Sequence, residues 1–195
     1  MEVKIGADAG ATEDSKYVPM GTFSIVVADG QKRYLKSTGF GTCVGVAMHN
    51  AGQKAGVVAH FMSHQAIRSS FESIAKELNA LGISSKGRNW DVVIFAGSGA
   101  AKNASSSSAI GKFGLDFASK TSGATSSIGT RLKDLELDVS SHAAKWVEVL
   151  KDGVESCSLD VVDGVLHLSN ATFLMHENRL AAVSFKNTPL LYDKK

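Results

Sequence analysis

Cysteine is scarce in this chain of 195 residues: there are two, Cys43 and Cys157. That count is too low for a disulfide framework and suits a reducing compartment, with a Cys43–Cys157 disulfide left as the alternative. An excess of charge is missing too, because 21 basic side chains face 19 acidic ones for a formal net charge of +2, with no run of Lys or Arg. The sequence thus shows no nucleic-acid footprint and no patch for an anionic membrane, and protein or small-molecule substrates fit better. No apolar run approaches membrane-spanning length, and Met1 to Gly10, with Glu2 and Asp8, lacks the basic-then-apolar layout of a signal peptide. A soluble protein is expected, residing in the cytoplasm or exported by a signal-less route.

With 44% hydrophobic residues, the chain can fill one core, and a single domain over residues 1–195 is the default, with 1–20 as a loosely ordered arm or an added first strand. Phe23 to Ala28 reads as a strand closed by Asp29-Gly30, and Lys32 to Lys36 leads into the next elements. Gln65 to Leu81 has Ile67, Phe71, Ile74, Ala75 and Leu78 at the helical period with Gly82 as a stop, and Trp90 to Phe95 reads as a buried strand. Ser107 to Ala118 is helix-like, and Ser141 to Leu150, bearing Trp146, reads as an amphipathic helix. Ser158 to Val162 and Val165 to Leu168, split by Asp163-Gly164, predict a hairpin. The sum is an α/β (α+β) fold, a mixed β-sheet or β-sandwich core flanked by helices.

The chemistry concentrates between Ser37 and Met62. The apolar runs Cys43 to Met48 and Ala55 to Met62 read as the arms of a hairpin, with Asn50-Ala51-Gly52-Gln53 between them as a tight connection. If the turn centres on Ala51 and Gly52, Cys43 faces His60 directly, with Cβ atoms ~4.5–5.5 Å apart. A thiol has a pKa of about 8.5 and attacks only as a thiolate, so a neighbouring imidazole that takes its proton makes it a nucleophile and later protonates a departing amine. Gly39 and Gly41 allow backbone N–H groups to point into a cleft and hold an oxyanion. Ser37, six residues before Cys43, is a candidate third member whose hydroxyl would orient the imidazole or the substrate amide. The plainer reading makes Cys43 a small buried hydrophobe and His60 a satisfied core residue.

Other constellations are weaker. His49, His60 and His64 lack ligand spacing on their elements, so no metal and no cofactor are expected. Gly97-Ser98-Gly99 lacks the Lys-Ser/Thr ending of a phosphate loop. The polar run Asn103 to Ser108 fits a surface linker or a loop at the cleft.

The string Gly-Phe-Gly-Thr-Cys-Val-Gly-Val at residues 39–46, followed by Ala-His-Phe-Met at 59–62, resembles the active-site hairpin of the CheD family of chemoreceptor glutamine deamidases, over about Lys36 to Ser63. The resemblance implies Cys43 as nucleophile, His60 as base and Ser37 in the place of the family's threonine, with Thr38, Gly41 and Thr42 positioning the oxyanion and substrate. The same fold and chemistry occur in the catalytic domain of cytotoxic necrotizing factor and in Burkholderia lethal factor, toxins that deamidate host glutamines. The family's Gly-Gly-Ala and Ile-Gly-x-Arg-Asn motifs are replaced here by Ala96-Gly97-Ser98 and Ile128-Gly129-Thr130-Arg131-Leu132. The implied function is therefore a protein glutamine deamidase, a bacterial toxin or effector, with a chemoreceptor deamidase or a catalytically silent binding module as alternatives. Proteolysis and transamidation share the thioester step. The expected partner is a protein bearing a target glutamine, met by a monomer in the bacterial cytoplasm or in a host cell.

Overall fold

The apolar runs on either side of Ala51 become the two central strands of the molecule. In a computed structural model, which describes residues 1–6, 15–28, 34–62, 65, 67–85, 89–97, 144–146, 154–169 and 187–191, β5 (Val44–Asn50) and β6 (Ala55–Phe61) form an antiparallel hairpin in which every residue is buried. The remaining strands are β1 (Glu2–Ile5), β2 (Ser15–Tyr17), β3 (Thr22–Val27), β4 (Tyr34–Thr38), β7 (Asp91–Ala96), β8 (Ala144–Trp146), β9 (Ser156–Asp160), β10 (Val165–Ser169) and β11 (Thr188–Pro189), with one helix, α1 (Ile67–Ala80). They make a six-stranded sheet, β11-β3-β6-β5-β7-β8, and a five-stranded sheet, β1-β10-β9-β4-β2. Among the described residues the fold is thus mixed α+β and mostly strand, and no helix is long and apolar enough to cross a membrane.

Two layers of core explain why β5 and β6 carry unbroken apolar runs instead of an alternation. One face, through Val44, Val46, Met48, Val57 and Ala59, packs with Phe71, Ile74 and Leu78 of α1. The other, through Ala47 and Val58, packs with Leu35, Cys157, Leu159, Leu166 and Leu168 of the second sheet. Each buried Val or Leu contributes roughly 1.5–3 kcal/mol relative to an exposed one, so covering both faces makes this hairpin the centre of stability. The apolar helical period from Phe71 to Leu78 holds, and the chain leaves α1 at Gly82 with φ +73°.

Gln65 ties the end of β6 to its surroundings. Its Oε1 accepts the Met62 N–H at 2.8 Å, and its Nε2 donates to the carbonyls of Gly21 at 3.1 Å and Leu190 at 3.4 Å. The Gly21 N–H in turn donates to the His60 carbonyl at 2.8 Å.

Two expectations change. Both hairpins have four-residue loops, not two. Asn50 pairs with Ala55 and Asp160 with Val165, and in each loop a side-chain oxygen of the residue before it takes backbone N–H groups: Asn50 Oδ1 from Gln53 at 3.1 Å, Asp160 Oδ1 from Val162 at 2.9 Å and Asp163 at 3.1 Å. The left-handed residue falls last, at Lys54 (φ +46°) and Gly164 (φ +67°), so Gly52 is not the pivot. Secondly, Ala144–Trp146 is not helical; it adds as a parallel strand beside β7, with Val92 opposite Ala144 and Ile94 opposite Trp146. The free edge of β7 carries backbone donors and acceptors that need partners, and this demand overrides a local helical pattern. Of the two readings of the first residues, the added strand is the one that the described residues show, and it comes twice: β1 runs parallel to β10 and β2 parallel to β4. The helix expected at Ser107 to Ala118, the polar run Asn103 to Ser108 and the Ile128 to Leu132 motif lie outside the described residues.

Candidate functional site

The site lies in the layer between the sheets, at the end where β5 begins. Strand β4 ends at Thr38, and the chain turns through Gly39 (φ +81°) and Gly41 (φ +22°), conformations that favour glycine. The turn is tied to the carbonyl of Glu155, which accepts the N–H groups of Gly39 at 2.8 Å and Phe40 at 3.4 Å and the Thr38 hydroxyl at 3.3 Å. The Cys43 N–H donates back to the Phe40 carbonyl, and the Cys43 carbonyl accepts from Gly97 N–H at 3.0 Å. A Cβ at Gly97 would collide with the backbone of Phe40 and Gly41, so the residue after β7 must be glycine for this loop to seat.

The four-residue hairpin loop changes the relation of thiol and imidazole. His60 is directly opposite Gly45, not Cys43. The shift is of two residues, however, and side chains repeat their face every two residues along a strand. Cys43 therefore still shares the inter-sheet face with His60, as a diagonal neighbour at a Cβ separation of about 7 Å. Directness is lost; the face is kept.

His60 is fully buried. Its Nδ1 lies 2.9 Å from Ser37 Oγ, and Ser37 Oγ lies 2.7 Å from the Val18 carbonyl oxygen. A serine hydroxyl has a single hydrogen, and the carbonyl of Val18 can only accept. Ser37 donates to Val18, so it accepts from His60, and Nδ1 carries the ring proton. The lone pair then sits on Nε2, which has no hydrogen-bond partner among the described residues. Burial pushes the imidazole pKa down to about 4, because a desolvated cation is disfavoured. The Phe40 ring stacks on the imidazole, with centroids 4.0 Å apart and planes at 17°.

Cys43 is 4% exposed. Burial pushes its thiol pKa up, while a hydrogen bond with the Thr42 side chain pulls the other way. Near neutral pH both partners are uncharged, a thiol and an imidazole, and not the thiolate–imidazolium pair that the sequence suggests. Attack by such a thiol would require the imidazole to take its proton in the same step.

The expected site residues thus divide. Cys43 and His60 on one sheet and Ser37 on the other face the layer between the sheets. Thr42 is exposed beside the sulfur it touches, and Gly41 is half-buried. The N–H groups of Gly39, Phe40 and Cys43 are all committed to carbonyls of the protein, and the Thr38 hydroxyl is committed to Glu155. This leaves Gly41 and Thr42 as the loop residues whose N–H groups no described backbone carbonyl accepts. His49 lies on the inter-sheet face at the far end of β5, four residues and about 13 Å from Gly45 along the strand, so it shares no ligand set with His60; His64 is outside the described residues. Sequence reasoning missed Val18, whose carbonyl fixes the tautomer and which no side-chain pattern could reveal, and Phe40, whose place between Gly39 and Gly41 was the available signal. Across the chain, no protein-family model matches, and no curated protein matches either.

Proposed function

We propose that the protein is a glutamine deamidase acting on protein side chains, on a CheD-like fold. The observation that carries the reading is the buried, unpartnered lone pair of His60 Nε2 on the same strand face as the Cys43 thiol. In the proposed reaction the Cys43 proton passes to His60 Nε2 as Sγ forms a bond to the amide carbon of the glutamine side chain. The N–H groups of Gly41 and Thr42 stabilise the resulting oxyanion. The imidazolium then protonates the amide nitrogen, the C–N bond breaks, ammonia leaves and a thioester remains. His60 next removes a proton from water, the hydroxide attacks the thioester, and glutamate departs as the thiol is restored. Rotation of the Cys43 side chain toward the imidazole closes the diagonal gap.

The resemblance of residues 36–63 to the CheD hairpin supports the reading, as does the seating of the Cys43 loop against Gly97. The departures beyond the hairpin favour a target other than a chemoreceptor, met in the bacterial cytoplasm or inside a host cell. One observation favours the catalytically silent binding module, namely the raised pKa and near-complete burial of the thiol.

Mass spectrometry of a cell lysate treated with wild type or with Cys43→Ser decides between them. Deamidation gives a gain of about one dalton on particular glutamines with wild type alone. Cleaved peptides would indicate a protease and amine adducts a transamidase. No altered peptide, together with no iodoacetamide labelling of Cys43 at any pH up to its ionisation, would leave the binding module.

A further inference from the structure

Gly45 stands directly across from His60, and the space its side chain would take is filled by two aromatic rings. A Cβ there would collide with the ring of Phe95 and lie 2.8 Å from Phe40 Cε1. Phe95 meets Phe40 edge-on, with centroids 4.9 Å apart and planes at 74°, and Phe40 lies flat on the imidazole. All three rings are fully buried. Phe40 also touches the nucleophile's backbone, since its carbonyl accepts the Cys43 N–H. A single residue therefore holds the thiol loop by its main chain and the base by its ring.

The hydrogen bond to Ser37 does not by itself fix the imidazole. It selects which way round the ring sits, but the torsion about the bond to a planar ring is broad and two-fold, so the plane can still tilt about the Nδ1 contact. A flat neighbour at stacking distance removes that tilt. We infer that Phe40 is a positioning residue for the base, setting the plane of His60 and hence the direction of its Nε2 lone pair, with Gly45 making the room and Phe95 bracing the ring from behind. The catalytic importance of this rests on the deamidase reading; the geometry does not.

The test is nitrogen-15 NMR of the His60 ring in the intact protein, comparing wild type with Phe40→Leu, which keeps most of the volume and loses the flat face. Wild type should show one protonated and one bare ring nitrogen, unchanged with pH until near its pKa of about 4. In Phe40→Leu the two nitrogen signals should move toward averaged positions and the titration midpoint should rise by about one unit as water reaches the ring. The deamidation kcat should fall about tenfold with KM unchanged, as expected for a misaimed base. Should Phe40→Leu fail to fold, Phe95→Leu reads the same signals with a smaller change in the same direction. Wild-type nitrogen signals and midpoint in either folded variant overturn the inference. Absence of any converted glutamine in the Cys43→Ser comparison would sink the reaction and leave the NMR result to judge the positioning.

Discussion

His60 and His49 stand on the same face of one hairpin, at opposite ends of the layer between the sheets, and both are almost wholly buried. Each has one ring nitrogen bonded and the other without a partner among the described residues. The difference lies in the partner. His49 Nε2 is 3.0 Å from the Val161 carbonyl, an obligate acceptor, so Nε2 carries the proton and the ring clamps β5 to the loop between β9 and β10. Gly164 of that loop lies so close that a Cβ would sit 2.6 Å from His49 Cε1, leaving the unpartnered Nδ1 walled in. His60 donates instead to a serine hydroxyl, and its ring shares the inter-sheet face of the hairpin with Cys43. Burial alone therefore does not make a base. The proposed reaction also needs an unspent lone pair on a ring that shares its face with the thiol, whereas the ring whose free nitrogen is walled in is a structural clamp.

The sharpest way to break this contrast is to delete each ring. His60→Ala should reduce deamidation by about 10²–10⁴-fold, the usual worth of a general base, whereas His49→Ala should leave the rate within about twofold and cost roughly 2 kcal/mol of stability through the lost hydrogen bond and cavity. Rates by mass spectrometry and urea denaturation of both variants check the pair; a rate loss in His49→Ala equal to that in His60→Ala would erase the distinction.

Acid should sharpen it next. The pKa of folded His60 is about 4 against 6.5 for the free side chain, so the unfolded chain takes up its proton first as pH falls. The contribution of this group is complete above about pH 6.5 and is lost toward about pH 4, a total of about 3 kcal/mol. His49 is shifted in the same direction, by burial first, with the Val161 carbonyl acting against it. Urea midpoints measured from neutral pH to acid should thus fall for wild type and flatten most in His60→Gln.

Gly164→Ala should cost roughly 1–2 kcal/mol, through its positive φ and the contact with His49, without changing the rate. Lys54→Gly in the matching position of the other hairpin should change stability by less than about 1 kcal/mol, because relief of the left-handed backbone is offset by the greater freedom of glycine when unfolded. Thermal melts read both, and a larger effect at Lys54 than at Gly164 would show that the loop, not the histidine, sets the cost.

Much of the geometry of the candidate site was legible in the sequence, and the two register errors have one cause. The apolar runs around Ala51 announced the hairpin, but with both faces covered they held no alternation to pin the register. Only the loop could do so, and its length was set by side-chain bonds from Asn50 that a residue string does not display. The same error recurred at Asp160. Because both errors were of two residues, the faces came out right: Cys43 and His60 were placed together although not directly opposed. Ala144–Trp146 failed for a different reason, since a neighbouring strand edge that is distant in sequence decided its conformation. The protonation state failed as well, because the cost of burying charge depends on the depth of the layer, which Cys43 and His60 do not encode locally.

The chain from Val18 through Ser37 to His60 has a consequence for the energy of moving a proton. When Nε2 becomes protonated, Nδ1 still donates to Ser37 and Ser37 still donates to Val18. No hydroxyl has to rotate and no donor has to become an acceptor. The dipoles that meet the new charge already point the right way in the neutral resting state, so the reorganisation that water would require on each protonation is built in once, when the two sheets close on each other.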